Sequence, residues 1–188
     1  MRRPLASLLL AGLALAAPTA RSSDFHIDTR RSHAEFAIRL LWLHTIKGRF
    51  TQITGGVKLD PHGLATVDAS IATNSIVTDS RWIRRWILAP EFFDAAHYPT
   101  LRFLSAPVTL ATLTTGGTLN GQLRVRGVVR PVHFKLLSAS CTTLTAATCL
   151  IEVRGHISRS AFGMRGHRAT LSDRVRLGLL IALDPTSH

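Results

Sequence analysis

The side chains of this chain that could perform acid–base or metal chemistry are nine histidines, two cysteines and a small set of carboxylates. The histidines show neither the H-x-H nor the H-E-x-x-H spacing that brings two imidazoles onto one metal ion. No G-x-S-x-G segment is present to hold a nucleophilic serine above a sheet. No pair of carboxylates shares one strand face, as a general acid and base would. The sequence therefore predicts a protein that is not an enzyme and has no metal or cofactor.

The two cysteines, Cys141 and Cys149, flank a small polar segment. In an oxidising compartment, a pair this close in sequence favours a disulfide across a hairpin. Redox catalysis and metal binding are the alternatives, but the C-x-x-C motif that they commonly use is absent. We expect a structural disulfide that contributes about 2 to 3 kcal/mol by closing a short loop.

Residues 1–20 have the composition of a cleaved secretory signal peptide. Arg2 and Arg3 form a positive start, residues 5–17 are apolar but too few to span a bilayer, and small residues follow. Cleavage after Ala16 or after Ala20 fits this pattern. We expect an exported protein, periplasmic in a Gram-negative cell, with one domain over residues 24–184.

The formal net charge of +12 at pH 7 raises the question of an anionic partner. The basic residues are spread over many segments at positions between apolar ones, and the tryptophans do not alternate with them as a base-stacking platform would. This distribution predicts a solvated basic outer face and no nucleic-acid partner. Transient contact with anionic lipid headgroups is the alternative role for the charge.

Apolar residues alternate with polar ones along most of the chain. Phe36 and Ile38 alternate with Glu35 and Arg39, for example, and such period-two runs are typical of strands with one buried face. Many one-sided strands in one domain must share an interior, which indicates an all-β sandwich or closed barrel. The strands are predicted near residues 24–30, 33–43, 46–59, 64–73, 99–105, 107–113, 118–126, 131–138, 149–159 and 171–183, with reversals at 60–63, 116–117 and 128–131.

One segment, near residues 80–89, has a helical period instead. Trp82, Ile83, Trp86 and Ile87 share one helical face, and Pro90 ends the segment. We expect a short amphipathic helix that closes one end of the barrel with two indoles. Docking of this helix on a membrane is the alternative.

A series of short motifs runs from residue 25 to residue 183. It comprises Ile27-Asp28 with Ser32 and Phe36, Lys47-Gly48-Arg49-Phe50, Glu91-Phe92-Phe93-Asp94, Tyr98-Pro99-Thr100, Gly121-Gln122-Leu123, Ser158-Arg159-Ser160-Ala161-Phe162-Gly163-Met164 and Leu171-Ser172-Asp173-Arg174-Val175. In this order the motifs resemble those of the YceI-like polyisoprenoid-binding proteins. The resemblance implies an antiparallel, lipocalin-like β-barrel that holds a polyprenyl lipid or a quinone tail.

The chain departs from the family pattern near one end of the implied barrel. Arg31 stands where the family commonly has histidine, as does Leu40, and Ile83-Arg84-Arg85-Trp86-Ile87 replaces an Arg-Asp-x-His-Leu pattern. These changes add indole and guanidinium groups. The candidate contacts for a ligand headgroup are Arg84, Arg85 and Arg159.

The candidate lumen residues are the apolar side chains that the alternation directs inward, together with those of the helix. They are Phe36, Ile38, Trp42, Phe50, Trp82, Trp86, Phe103, Leu123, Phe134, Val153, Ile157, Phe162, Met164 and Leu179. Gly121, Gly127 and Gly155 are also predicted at inward positions, where a missing side chain leaves room for a ligand.

The predicted function is the binding, carriage or sequestration of an isoprenoid lipid in an apolar lumen. The alternative is a cell-envelope interaction protein whose barrel core is packed and whose outer surface binds partners. A homodimer is compatible with either function.

Overall fold

The computed structural model describes residues 23–139 and 149–184. Within these residues the chain is mainly β-strand, with two short α-helices, α1 (Arg81–Leu88) and α2 (Leu110–Thr115). The strands are β1 (Ser23–His26), β2 (His33–Leu40), β3 (His44–Phe50), β4 (Ile53–Leu59), β5 (Leu64–Ala72), β6 (Ile76–Val77), β7 (Thr100–Ser105), β8 (Val108–Thr109), β9 (Gly117–Val125), β10 (Val128–Leu136), β11 (Leu150–Ser158) and β12 (Leu171–Ala182).

All these strands pair antiparallel in one curled sheet. The order is β1-β4-β5-β7-β9-β10-β11-β12-β2-β3-β6, and β8 pairs with β5. The β1 border of the sheet curls back on its body: Ile27, just after β1, bridges Leu183, just after β12. The result is a half-barrel, and the predicted all-β antiparallel class with one inserted helix is confirmed.

The alternation of side chains produces the two faces of this sheet. Along β2, Ala34, Phe36 and Ile38 are buried, whereas Glu35 and Arg39, at positions of the opposite face, are exposed. Successive side chains of a strand point to opposite faces, so the apolar set lines the inside and the charged set faces water. Burial of the inner set provides the main driving force for folding.

The predicted strand over residues 46–59 is two strands separated at Thr51 and Gln52. The break allows the chain to change neighbours: β3 pairs with β2 and β6, whereas β4 pairs with β1 and β5. The predicted strand over 107–113 is also wrong, because only β8 is extended there. The helix α2 follows at once, capped by Thr109, whose Oγ1 accepts from the backbone N–H of Thr112, and it buries Leu113 fully.

The predicted reversal at residues 128–131 lies two residues earlier, at Arg126 and Gly127. Both have positive φ, 51° and 73°, as the central residues of a type I′ hairpin turn do. Pro131 is inside β10 and pairs with Gln122. A proline is tolerated there because β11 pairs with β10 only at Lys135 and Leu136, so no ladder N–H is needed at Pro131.

The alternation of β2 does not continue to Trp42, which is 80% exposed. The strand ends at Leu40, and residues 41–43 form a turn in which Leu41 and Trp42 have positive φ. The prediction of Trp42 as a lumen residue is therefore wrong, because a chain reversal interrupts the period that was extended through it.

Candidate functional site

The inner face of the sheet encloses an apolar cavity. Its volume is about 140 Å³. An apolar cavity of about 150 Å³ is known to stay dry and to admit benzene. The interior is therefore hollow enough for a slender hydrocarbon, and no described side chain within it presents the convergent polar groups of a hydrolytic or redox site.

Most of the predicted lumen residues line this cavity. They are Phe36, Ile38, Phe50, Trp86, Phe103, Leu123, Phe134, Val153, Ile157, Met164 and Leu179. Phe162 is buried but lies outside the lining, and Trp82 is 61% exposed on the outer side of α1. The prediction that the indole of Trp82 helps to close the end of the barrel is therefore wrong. Contact of the lining residues with a ligand stays a prediction.

Several lining residues were not predicted from the sequence, and Phe92 and Phe93 are the most informative of them. They follow α1 in a turn held by hydrogen bonds from their N–H groups to the carbonyls of Ala89 and Ile87. The ring of Phe93 lies 5.6 Å from that of Phe50, nearly perpendicular to it. The adjacent aromatic pair after a helix was the available signal, but only the tertiary fold shows that Phe93 turns inward.

Two lumen glycines lie beneath phenyl rings. A Cβ at Gly155 would lie 2.3 Å from Cδ1 of Phe134, and one at Gly121 would lie 2.6 Å from Cε2 of Phe103. The prediction that these glycines leave room for a ligand directly is therefore corrected. They leave room for the rings, which rest against the wall, and the cavity persists in the space that the rings vacate.

The same arrangement recurs at Gly48, where a Cβ would lie 2.4 Å from Cε1 of Phe36 on the paired position of β2. Gly127, by contrast, is not in the lumen. It has φ of 73° in the β9–β10 turn, and a Cβ there would meet the ring of Tyr98. Three of the lining phenylalanines are thus each seated on a glycine.

Arg159 is a buried charge in the wall of the cavity, with an exposed fraction of 2%. Its guanidinium donates to four backbone carbonyls, at Met164 and Gly166 (both 2.7 Å), Ser172 (3.0 Å) and Leu171 (3.2 Å). Burial lowers the pKa of Arg159 from its usual value, but an arginine retains its proton at any physiological pH. The guanidinium therefore holds the 164–172 segment in place, and its donors are not available to a ligand headgroup.

The other two arginines proposed to contact a headgroup have different surroundings. Arg84 donates to the carbonyl oxygens of Ile76 (2.9 Å) and Asn74 (2.7 Å), so it fastens α1 to the segment that precedes it. Arg85 is exposed on the last turn of the helix. Within the described residues, Arg85 is the one predicted headgroup contact whose guanidinium donates no hydrogen bond to a backbone carbonyl.

A groove of about 450 Å³ adjoins the lumen at the end where α1 lies. Ile46 and Trp86 line both the groove and the lumen, so the two spaces meet at these side chains. The ring of Trp86 stacks on that of Trp82 at 5.5 Å and meets the edge of His167 at 5.0 Å. The groove is therefore an aromatic opening to the lumen.

Other predictions concern residues away from this cavity. Cys149 is fully buried and disulfide-bonded, and Cys141 lies outside the described residues, as does the predicted signal peptide. In the ranges 23–139 and 149–184, no three His, Cys, Asp or Glu side chains are grouped as metal ligands. No helix in the described part of the chain is long and apolar enough to cross a membrane.

Several known proteins are similar to this chain in sequence. A UPF0312 protein of Shewanella denitrificans is 32% identical over 137 residues, which cover 70% of each chain. A UPF0312 protein of Vibrio cholerae is 31% identical over 131 residues, covering 68% of this chain and 66% of the relative.

Solved structures share the fold. BcnA of Burkholderia cenocepacia superposes with a TM-score of 0.71 at 20% identity, over 84% of this chain and 99% of its own. A polyisoprenoid binding domain from Saccharophagus degradans gives a TM-score of 0.61 at 18% identity, over 85% and 97%. The model of the YceI-like domain matches residues 25–183. Because that match spans nearly all the described residues, the chain belongs to the YceI-like family.

Proposed function

We propose that this protein binds and carries an isoprenoid lipid, such as a polyprenyl lipid or a quinone tail, in the lumen of its half-barrel. The observation that carries the proposal is the apolar cavity whose wall is kept open by phenyl rings resting on glycines. Membership of the YceI-like family, and the similarity in fold to a polyisoprenoid binding domain, support the same ligand class.

The chemistry of the lining suits a hydrocarbon ligand. An isoprenoid tail has no hydrogen-bonding groups, so its affinity comes from apolar surface removed from water. At about 25 cal/mol per Å², burial of roughly 300 Å² of tail supplies about 7.5 kcal/mol before ordering costs. Arg159 leaves no unsatisfied donor nitrogen at this surface, because each nitrogen of its guanidinium donates to a backbone carbonyl.

We also propose that the protein works in the periplasm, on the basis of the signal-like pattern of residues 1–20. A ligand of this kind is insoluble in water, so an enclosed apolar carrier gives it a route across an aqueous compartment. Cell fractionation, with N-terminal sequencing of the purified protein, tests this location. Recovery in the cytoplasm with an intact N-terminus would refute it.

The direct test of cargo is native mass spectrometry with organic extraction, on protein purified from a periplasmic fraction without detergent. We expect a discrete adduct that extracts as an isoprenoid. A ligand-free mass that stays unchanged after incubation with polyprenols and isoprenoid quinones would instead favour the packed-core interaction protein.

A pair of variants on adjacent strands localises the cargo. Leu123 lines the lumen on β9, and Leu104 on β7 is 42% exposed on the outer face and pairs with Gln122. We expect Leu123→Arg to abolish lipid retention and Leu104→Arg to preserve it, because only the first places a charge in the lumen. Circular dichroism checks folding, and Leu123→Gln is the milder substitute if the arginine variant unfolds. If folded Leu123 variants retain the lipid, the lumen is not its binding site.

A further inference from the structure

The turn between β2 and β3 presents three consecutive large apolar side chains to solvent. Leu41, Trp42 and Leu43 are 51%, 80% and 84% exposed, and Trp82 on the neighbouring helix is 61% exposed. We call these four side chains the apolar tip. Leu41 and Trp82 also line the groove that opens into the lumen, so the tip lies at the mouth of the half-barrel.

The backbone of this turn adds a second observation. Leu41 and Trp42 have φ of 49° and 63°, a left-handed conformation that favours Asn and Gly and that disfavours large side chains. Leu43 donates its N–H to the carbonyl of Leu40, and Leu41 donates to that of Thr170, so the turn is held in place. Folding alone gives no reason for leucine and tryptophan here, because neither local conformation nor burial favours them.

Five cations lie on the segments that carry or adjoin the tip. Arg39 and Lys47 flank the turn on β2 and β3, Arg81 and Arg85 lie on α1 beside Trp82, and Arg168 follows the groove residue His167. In the portion of the chain that the structure describes, none of these five cations is part of an ion pair. One carboxylate, Asp79, also lines the groove, so the charges near the tip are mainly but not entirely positive. Exposed apolar side chains with an excess of cations beside them are complementary to a surface with anionic headgroups over a hydrocarbon layer.

The size of the tip argues against a second protein as its partner. A stable protein interface takes roughly 800 Å² and 20 to 30 residues from each side, whereas the tip has four apolar side chains on a narrow turn and one helix. Tryptophan is also the side chain that most favours the interface between headgroups and hydrocarbon.

We propose that the apolar tip docks the protein on an anionic lipid bilayer, with Trp42 and its neighbours inserted among the headgroups and the five cations against them. In this orientation the groove between the β2–β3 turn and α1 faces the membrane, so a hydrocarbon chain passes between bilayer and lumen without crossing water. Docking extends the proposed carriage, and it is measured without any cargo, so failure of one is distinguishable from failure of the other.

The test is sedimentation of the protein with lipid vesicles, with fluorescence of the tryptophans as a second readout. The vesicles contain phosphatidylglycerol with phosphatidylethanolamine, or phosphatidylcholine alone. We expect binding to the anionic vesicles, weakening as salt rises from about 0.05 to about 0.5 M. Brominated lipids should quench the tryptophan fluorescence of the bound protein, because Trp42 and Trp82 reach the acyl boundary.

The decisive variant is Leu41→Asn combined with Trp42→Gly. Asn-Gly is the preferred pair for this turn, so folding should be retained or improved while the apolar contact is removed. We expect the vesicle affinity to fall about tenfold or more, whereas Leu104→Asn, an apolar-to-polar change on the outer wall, should leave it within about twofold. Arg81→Gln with Arg85→Gln should reduce affinity for anionic vesicles while changing binding to phosphatidylcholine little.

Three results would overturn the proposal. The first is wild-type protein that does not bind the anionic vesicles at low salt. The second is a folded Asn-Gly variant that binds them as tightly as the wild type. The third is wild-type protein that sediments as a dimer and becomes monomeric in the Asn-Gly variant, because a second copy of the chain would then cover the tip.

Discussion

Substitution of Gly155 by alanine should narrow the lumen without unfolding the protein. The added Cβ would lie 2.3 Å from Cδ1 and 3.0 Å from Cε1 of Phe134, whereas ordinary carbon contacts are about 3.5 to 4.0 Å. The ring must therefore move by more than about 1 Å, and the sheet behind Gly155 leaves only the cavity to receive it.

The magnitude depends on whether the cavity is empty. In the ligand-free protein the ring moves into vacant space, so we expect the free energy of unfolding to change by less than about 1 kcal/mol. With an isoprenoid bound, ring and ligand compete for the same volume. Overpacking then costs about 1 to 3 kcal/mol, which weakens binding by about 5- to 150-fold.

Gly178→Ala is the matched control. Gly178 lies on the neighbouring strand β12 and borders the cavity, but its Cβ would lie 4.0 Å from Cβ of the exposed residue Glu35, an ordinary contact that displaces no lumen ring. Titration with geranylgeraniol compares the affinities of both variants. Quenching of tryptophan fluorescence is the readout, because Trp86 lines the lumen. Urea denaturation compares their stabilities. If Gly155→Ala binds as tightly as Gly178→Ala, the space in front of Phe134 is not the ligand site and the reasoning fails.

Three further predictions concern stability. Arg159→Met should lower the free energy of unfolding by about 3 kcal/mol in urea denaturation, because four buried or partly buried carbonyls lose their donor, whereas Arg165→Met at an exposed position should have little effect. Equal stabilities of the two variants would contradict the structural role of Arg159. The hydrogen bond and charge of Arg102 hold the pKa of Asp68 below its usual value, so their pair stabilises the fold above pH 4 and is lost as pH falls through the lowered pKa. Because both side chains are partly exposed, Asp68→Asn should remove only about 0.5 kcal/mol at pH 7 and should flatten the loss of stability below pH 4; an unchanged acid limb in the variant would argue against this. Reduction of the disulfide at Cys149 should lower stability by about 2 to 3 kcal/mol, measured as a shift of the urea midpoint, and an unshifted midpoint would show that it adds nothing.

The lumen residues show how far period-two alternation predicts which side chains face inward. Phe36, Phe103 and Leu123 were predicted from period-two alternation alone, and they line the cavity, because a strand has no other way to sort its side chains. The prediction for Trp42 was wrong because alternation holds only within a strand, and no local sequence signal marks the end of β2 at Leu40. The turn residues there, leucine and tryptophan, are not those that hairpins prefer.

Long-range packing explains the other differences. The segment 110–115 is rich in threonine and leucine and could be a strand or a helix by propensity. It is helical because Leu113 is thereby fully buried at the lumen. Gly121 and Gly155 were correctly predicted at inward positions. The phenyl rings that fill the space beside them come from other strands, which the local sequence does not reveal.

The sequence by itself determined the all-β class, the inserted helix, the apolar inner face and the basic outer one, since each follows from the order of residues over a few positions. Only the tertiary structure decided that the interior is hollow, that Arg159 binds four carbonyls, and that tryptophans lie on both sides of the mouth. These properties depend on contacts between residues far apart in the chain, and the spacing of residues carries no information about which of them meet.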